Sequence, residues 1–287
     1  MALQHLLLYA IPLFLVSMWI ESKLSDEDKN AGYTRKDFIT NMNIGMVAIL
    51  FGLLASSFSI SIYVACFNFF APWRIRYLGY ESIGWGIGAW VTCIVADDFT
   101  YYWYHRTSHR IRLLWACHIV HHSSEQYNFS TSLRNGGFAM LYKPIYWCWM
   151  AAIGFHPILI LSCLALSSFY QFFCHTKLLS SWDKASGILN TPGLHAIHHG
   201  MNHQCIDKNY GGIFIVFDRI FGTYQTIDPS LRVTYGVTHP PRTQQLFEVY
   251  LHEFRNIFKN LKSTKSWTVR LKHLFYPPGW PPDNMHL

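Results

Sequence analysis

Long apolar runs alternate along this chain with polar stretches that hold most of its charge. The runs cover residues 3–20, 44–70, 83–96, 138–155 and 158–173. A bilayer-spanning helix needs about 20 predominantly apolar residues, so 44–70 is long enough to cross with tilt and 3–20 is marginal. Residues 3–20 lack both a basic start and a small-residue cleavage site, which reads as a retained helix, not a signal peptide. The run at 83–96 leads directly into Asp97-Asp98 and an aromatic stretch at 99–104. His156-Pro157 splits the last two runs and predicts a helical hairpin. The expected fold is an all-α integral membrane protein with about four transmembrane helices and a cytosolic helical cap. Residues 1–104 form the N-terminal transmembrane part, 136–175 the transmembrane hairpin, and 105–135 and 176–287 the cap.

The charge pattern gives an orientation. Residues 21–41, 105–134 and everything after His175 carry most of the Lys and Arg, whereas the opposite side holds Arg74, Arg76 and the short His156-Pro157 turn. By the positive-inside rule the polar half faces the cytosol. That means the endoplasmic reticulum membrane in a eukaryote or the inner membrane in a bacterium. In the C-terminal third, Leu246, Phe247, Tyr250, Leu251, Phe254, Ile257, Phe258 and Leu261 recur at helical spacing, with Arg255, Lys259 and Lys262 between them. Such a helix either lies on the membrane surface or packs on the cap. Asn209-Tyr210-Gly211-Gly212 followed by 213–217 reads as a turn into a short strand. Asn128-Phe129-Ser130 matches a glycosylation sequon, but on the cytosolic side it is a chance match.

Composition supports the membrane reading. The chain is 51% hydrophobic and 17% aromatic but only 14% charged, against about 25% charged in a soluble domain. The net charge is +7, yet so much Trp, Tyr and Phe among the polar segments points to a membrane and not to nucleic acid. Mean hydropathy is only +0.13, as expected if a large polar cap dilutes the spans. The seven cysteines are odd in number, mostly in apolar runs, and form no CxxC, which predicts reduced thiols.

Histidine changes the picture most. There are 16, as many as Asp and Glu together. Nine fall into a pattern: His105-x-x-x-His109, His118-x-x-His121-His122, a single His175 after the last apolar run, and His195-x-x-His198-His199. On a helix, positions i, i+3 and i+4 lie within an arc of about 100°, so each box presents its imidazoles in one general direction. Two HxxHH boxes and an HxxxH within one chain point to metal binding. Nine imidazoles exceed what one metal takes and fit two metals with four or five ligands each. Imidazole suits iron, zinc, copper and nickel alike, so the ligand type leaves the metal open. His203 is a weaker candidate, and His156, in the far-side turn, is set aside. Asp98, Tyr102, His105 and His109 share one helix face, which makes Asp98 a candidate acceptor for an imidazole N–H, with Asp97 its rival. Gln171 lies one turn before His175 and is a second supporting candidate. Tyr101, Tyr102, Trp103 and Trp115 are candidates to line the entrance to the histidine site. Glu125, Tyr127, Asn128, Lys208, Asn209 and Tyr210, close to the boxes, are candidates to contact a substrate. The sequence holds no dinucleotide fingerprint.

These boxes, set after apolar runs, resemble the membrane fatty acid hydroxylase/sterol desaturase superfamily over about residues 40–225. Further segments resemble its alkylglycerol monooxygenase family. They are His121-His122-Ser123-Ser124-Glu125-Gln126-Tyr127-Asn128-Phe129-Ser130-Thr131-Ser132-Leu133-Arg134, Asn190-Thr191-Pro192, Ile206-Asp207-Lys208-Asn209-Tyr210-Gly211-Gly212 and Asp218-Arg219-Ile220-Phe221-Gly222-Thr223. The resemblance implies two iron ions held by the nine histidines, O2 as cosubstrate, tetrahydrobiopterin as reductant, and hydroxylation of the ether carbon of an O-alkylglycerol with release of a fatty aldehyde. A sterol or fatty-acyl hydroxylase or desaturase fed by an NAD(P)H-linked donor, and a non-catalytic metal-binding membrane protein, are the alternatives. One departure stands out: Arg110 follows the second histidine of the first box, where the animal enzymes of the family carry an acid.

Overall fold

The computed structural model describes residues 2–25 and 32–280; His286 lies outside them. Among the described residues ten α-helices form: α1 (Ala2–Leu24), α2 (Arg35–Leu78), α3 (Ile87–Arg110), α4 (Arg112–His122), α5 (Ala139–Ile153), α6 (Pro157–Cys174), α7 (Pro192–His198), α8 (Val216–Ile220), α9 (Leu246–Ser263) and α10 (Trp267–Phe275). Among the described residues no strand forms, and only two isolated bridges occur, Leu189–Phe214 and Gly200–Tyr235. The architecture of the described residues is all-helical, and the nine box histidines sit on or at the ends of α3, α4, α6 and α7. Among the described residues two helices, α2 and α6, are long and apolar enough to cross a membrane. At 15 residues α5 falls short of the usual span, and the apolar part of α3 ends at the buried Asp97 and Asp98.

The second apolar run does not stop at its predicted link. α2 continues through Pro72, Arg74 and Arg76 to Leu78 and ends on Gly79 in the left-handed region. Arg74 explains part of this. Its fully buried guanidinium donates to the carbonyls of Phe67 and Glu81 and, across the bundle, to Ala151 and Ala152 in the last turn of α5. A cation there suits the negative C-terminal end of α5 and gives the Ala152 carbonyl a donor, the Ala151 carbonyl also accepting from the Gly154 amide. From Phe51 to Trp73 the helix advances about 33 Å at 1.5 Å per residue, close to the hydrocarbon thickness of a bilayer. Met46, Ile49, Leu50, Leu53, Leu54, Phe58 and Phe69 are exposed along it, and Trp73, Tyr77, Tyr80 and Trp85 are exposed at the far end, where interfacial aromatics are expected.

The hairpin forms as expected. α5 ends at Gly154, also left-handed, and His156 caps α6, whose first residue is Pro157. Inside the bundle, Tyr63, Cys93, Trp147, Met150, Leu159, Ile160 and Cys163 form one apolar core. It extends to Tyr101, one turn before the first histidine box, and to Tyr104, which directly precedes His105. All seven cysteines are free thiols.

In the cap, Arg134 is the central tie. Its buried guanidinium reaches Asp37 at 2.6 Å and Asn41 on α2, Ser123 at 2.8 Å after α4, and Gln244 at 3.0 Å before α9. Arg112 on α4 meets Glu253 on α9 at 2.8 Å, both nearly buried. α1 is anchored through Glu21, which accepts from Tyr33, from Thr176 and from the Phe129 amide. Asn128 of the sequon is buried and caps a 3-10 turn at Phe129–Leu133, so its amide is not open to modification.

Candidate metal centre

Four helices deliver the histidines. α3 ends with His105 and His109, α4 with His118, His121 and His122, α6 is capped by His175, and α7 carries His195 and His198 and is capped by His199. They converge as two groups. In the first, ring nitrogens of His105, His109, His118, His122 and His198 lie within 4.8 Å of one another; in the second, those of His121, His175, His195 and His199 do. His203 is exposed and stands in neither.

The boxes do not each serve one metal position, as a common direction suggested. Residues i and i+4 are offset by about 40° on a helix, and i+3 falls about 60° to the other side. His105/His109, His118/His122 and His195/His199 therefore stay together, while the middle histidines, His121 and His198, cross to the opposite group. Each HxxHH box thus contributes to both groups and sets them side by side.

Backbone carbonyls fix four of the rings. Nδ1 lies 2.8 Å from the Tyr210 carbonyl in His105, 3.0 Å from that of Arg134 in His121, 2.7 Å from that of Gln171 in His175, and 2.8 Å from that of Lys208 in His198. A carbonyl only accepts, so Nδ1 carries the proton and Nε2 presents a bare lone pair. His198 Nε2 is buried without a hydrogen-bond partner, as are His109 Nε2 and His199 Nε2. Other Nε2 atoms face one another: His105–His118 at 3.1 Å, His118–His122 at 3.2 Å, His121–His175 at 3.2 Å and His175–His195 at 3.1 Å. Ligands on a metal about 2.1 Å away at right angles stand ~3.0 Å apart, so the donor set fits two first-row ions. Burial holds all nine imidazoles below the ordinary histidine range, His118 at about 3, His175 and His198 at about 4 and the rest well below; neighbouring imidazoles add to this for all but His198, which the Lys208 carbonyl and Asp207 pull back up. At neutral pH every ring is a neutral donor, the form a cation takes.

The proposed supporting residues act differently from the sequence reading. Asp98 accepts from the Ile213 amide at 2.6 Å and the Phe214 amide at 3.1 Å, not from an imidazole, and Asp97 accepts from Trp147. Asp218 takes the Tyr210 and Gly211 amides, each at 2.8 Å. The expected strand is reduced to one antiparallel bridge, Leu189–Phe214, with the Ile215 amide donating to the Ile188 carbonyl and the Asn190 amide to that of Ile213, before α8 starts at Val216. At Gly212 a Cβ would come within 2.7 Å of Asp98, so the close approach requires glycine. Gln171 supports His175 through its backbone carbonyl, while its side chain donates to Ser167.

The candidate substrate residues mostly brace the site. Tyr127 is buried against His175 and His199 and donates to the Cys174 carbonyl. Asn209, fully buried with a left-handed backbone, bonds the Leu194 and Gln225 carbonyls and the Gln225 amide. It thereby fixes the flanking carbonyls of Lys208 and Tyr210 that hold His198 and His105. Glu125 is exposed. Of the entrance candidates, Tyr101 touches His105 and Trp115 touches His109 and His122, whereas Tyr102 and Trp103 pack on Phe221. Arg110 pairs with Asp207 at 2.6 Å, and the other oxygen of Asp207 lies 3.9 Å from His109. Arg134, Asn209 and Asp218 were not picked out for support; the signal was present in the shared segments that contain them, but not their contacts.

Residues 90–223, which contain all nine histidines, match the fatty acid hydroxylase family model. The chain is 33% identical to the alkylglycerol monooxygenase of Homo sapiens over 97% of its own length and 60% of that protein. It is 35% identical to the enzyme of that name from Danio rerio (88% and 54%) and 33% identical to that from Caenorhabditis elegans (87% and 50%). It therefore spans half to three-fifths of these relatives' length. No solved structure matches.

Proposed function

We propose that this chain is a non-haem di-iron monooxygenase acting on a lipid C–H bond, the ether carbon of an O-alkylglycerol, with tetrahydrobiopterin as reductant. The observation that carries the reading is the set of bare, buried imidazole nitrogens facing one another in two adjoining groups. The name shared by the relatives supports the substrate and the reaction class.

Two iron ions held by His105, His109, His118, His122 and His198 and by His121, His175, His195 and His199 would supply O2 activation and C–H hydroxylation. The protein's part is orientation and exclusion of water. The carbonyls of Tyr210, Arg134, Gln171 and Lys208 hold the ring tautomers. The apolar bundle core, which reaches Tyr101 beside His105, suits an alkyl chain entering from the bilayer. Hydroxylation of the ether carbon gives a hemiacetal, which collapses to a fatty aldehyde and a glycerol. The topology that goes with this places about four helices in the membrane and the histidine cap in the cytosol.

Purified, iron-loaded protein is assayed for aldehyde release from an O-alkylglycerol with O2 and tetrahydrobiopterin, and in parallel for oxidation of a sterol or acyl lipid with an NADPH-driven donor. Aldehyde release in the first assay supports the proposal. Turnover only in the second overturns the ether substrate and the pterin, and bound metal without O2 chemistry on any lipid overturns the enzyme reading.

A further inference from the structure

We infer that α9 is a membrane-surface helix, with its outer face seated on the headgroup layer of an anionic bilayer and the cap held down on the membrane beside α2. α9 has two apolar sides. One is internal: Val249 and Tyr250 pack with Ile44 of α2 and Val120 of α4, and Ile257 is buried. The other is open: Phe247 is 73% exposed and Phe258 59%, and Phe254 lies between them on the same helical face.

Two observations select the occupant. The first is continuity with the apolar surface of α2. Phe254 meets Phe138 edge-on at 5.6 Å, and Phe138 meets Phe51 at 6.3 Å. Phe51 is itself exposed among Met46, Ile49, Leu50, Leu53 and Leu54 of α2, so the open face of α9 is continuous with the N-terminal part of that apolar belt. The second is charge. Arg255, Lys259, Lys262 and Lys265 are exposed along the same helix and just beyond it. Lys262 lies with its ammonium 4.3 Å from the Phe258 ring centre, an arrangement in which the aromatic enters the interface and the cation stays with the phosphates. Acidic Glu248 is taken up by Arg255, and Glu253 faces inward to Arg112. α10 continues the pattern with exposed Trp267, Phe275 and Tyr276. An aromatic row flanked by lysines matches an anionic membrane surface.

The test uses the full chain in lipid nanodiscs with an environment-sensitive fluorophore at Phe258→Cys, at Leu54→Cys on the exposed belt of α2, or at Gln204→Cys on the exposed cap surface. The unsubstituted chain gives the labelling background. Quenching by lipids carrying a shallow spin label is expected to be several-fold stronger at position 258 than at 204. It should increase when phosphatidylglycerol replaces part of the phosphatidylcholine, and that increase should vanish in Lys259→Glu/Lys262→Glu. Equal quenching at 258 and 204, with 54 quenched, overturns the inference and leaves α2 as a span, the outcome expected if a second copy of the chain covers this face. Quenching at 258 that ignores lipid charge overturns the anionic-headgroup assignment. Metal content plays no part in these readouts, so the di-iron reading stands or falls separately.

Discussion

His121 and His175 face each other with their Nε2 atoms 3.2 Å apart, while each commits its Nδ1 proton to a backbone carbonyl, Arg134 and Gln171 respectively. Two lone pairs at this distance repel unless a cation lies between them. His121→Ala is therefore expected to remove the metal of the four-histidine group and leave the other, halving metal per chain. His198→Ala should do the same to the five-histidine group. Metal analysis of the purified variants checks both, and unchanged content in either refutes that ligand assignment.

Asn209 acts one step away. Asn209→Ala deletes its side-chain bonds to the Leu194, Gln225 and Gln225-amide groups and places alanine at φ 55°. The Lys208 and Tyr210 carbonyls then lose their fixed positions against His198 and His105. Loss of such support typically costs 10–100-fold in metal affinity. Competition with a chelator should show one of the two metals weakened by about that factor and the other unchanged. Equal weakening of both would mean general loosening of the cap.

Arg134 joins support of the centre to stability. Arg134→Met leaves Asp37 buried without its cation, a change that costs about 3–5 kcal/mol. The variant should melt well below the parent in the same detergent. The paired change Arg134→Met/Asp37→Leu should recover part of the loss, because the uncompensated charge is removed.

Acid should destabilise the metal-free chain. His118, His175 and His198 titrate at about 3 to 4 when folded, against about 6.5 when unfolded. Below pH 6.5 the unfolded chain binds more protons, so stability falls as pH drops from about 6.5 toward 4 and is insensitive to these groups above that range. Melting temperature of the metal-free protein across pH 8 to 4 measures this, and a flat profile between 7 and 5 would contradict it.

Much of the centre was legible because nine histidines at helical spacing are rare and because i, i+4 geometry is local. Their division into two groups also follows from helix angles, once the middle histidine of each HxxHH is turned the other way. The role of Asp98 was not legible. Its partners, the Ile213 and Phe214 amides, lie more than a hundred residues away, and nothing local distinguishes an acid that binds backbone from one that binds imidazole. Arg74 was hidden similarly: in sequence it looks like a loop charge, yet it closes the end of a helix with which it is not contiguous. The apolar pattern revealed α9 but not that both of its apolar sides are used, since packing against Ile44 and Val120 is set by tertiary contacts.

The central claim is that the nine imidazoles hold two metals side by side. Iron per chain, measured on protein reconstituted anaerobically with ferrous iron and freed of excess, tests it most directly. Two irons per chain are predicted, falling to one in His121→Ala and in His198→Ala. A wild-type chain that saturates at one iron or binds none would contradict it.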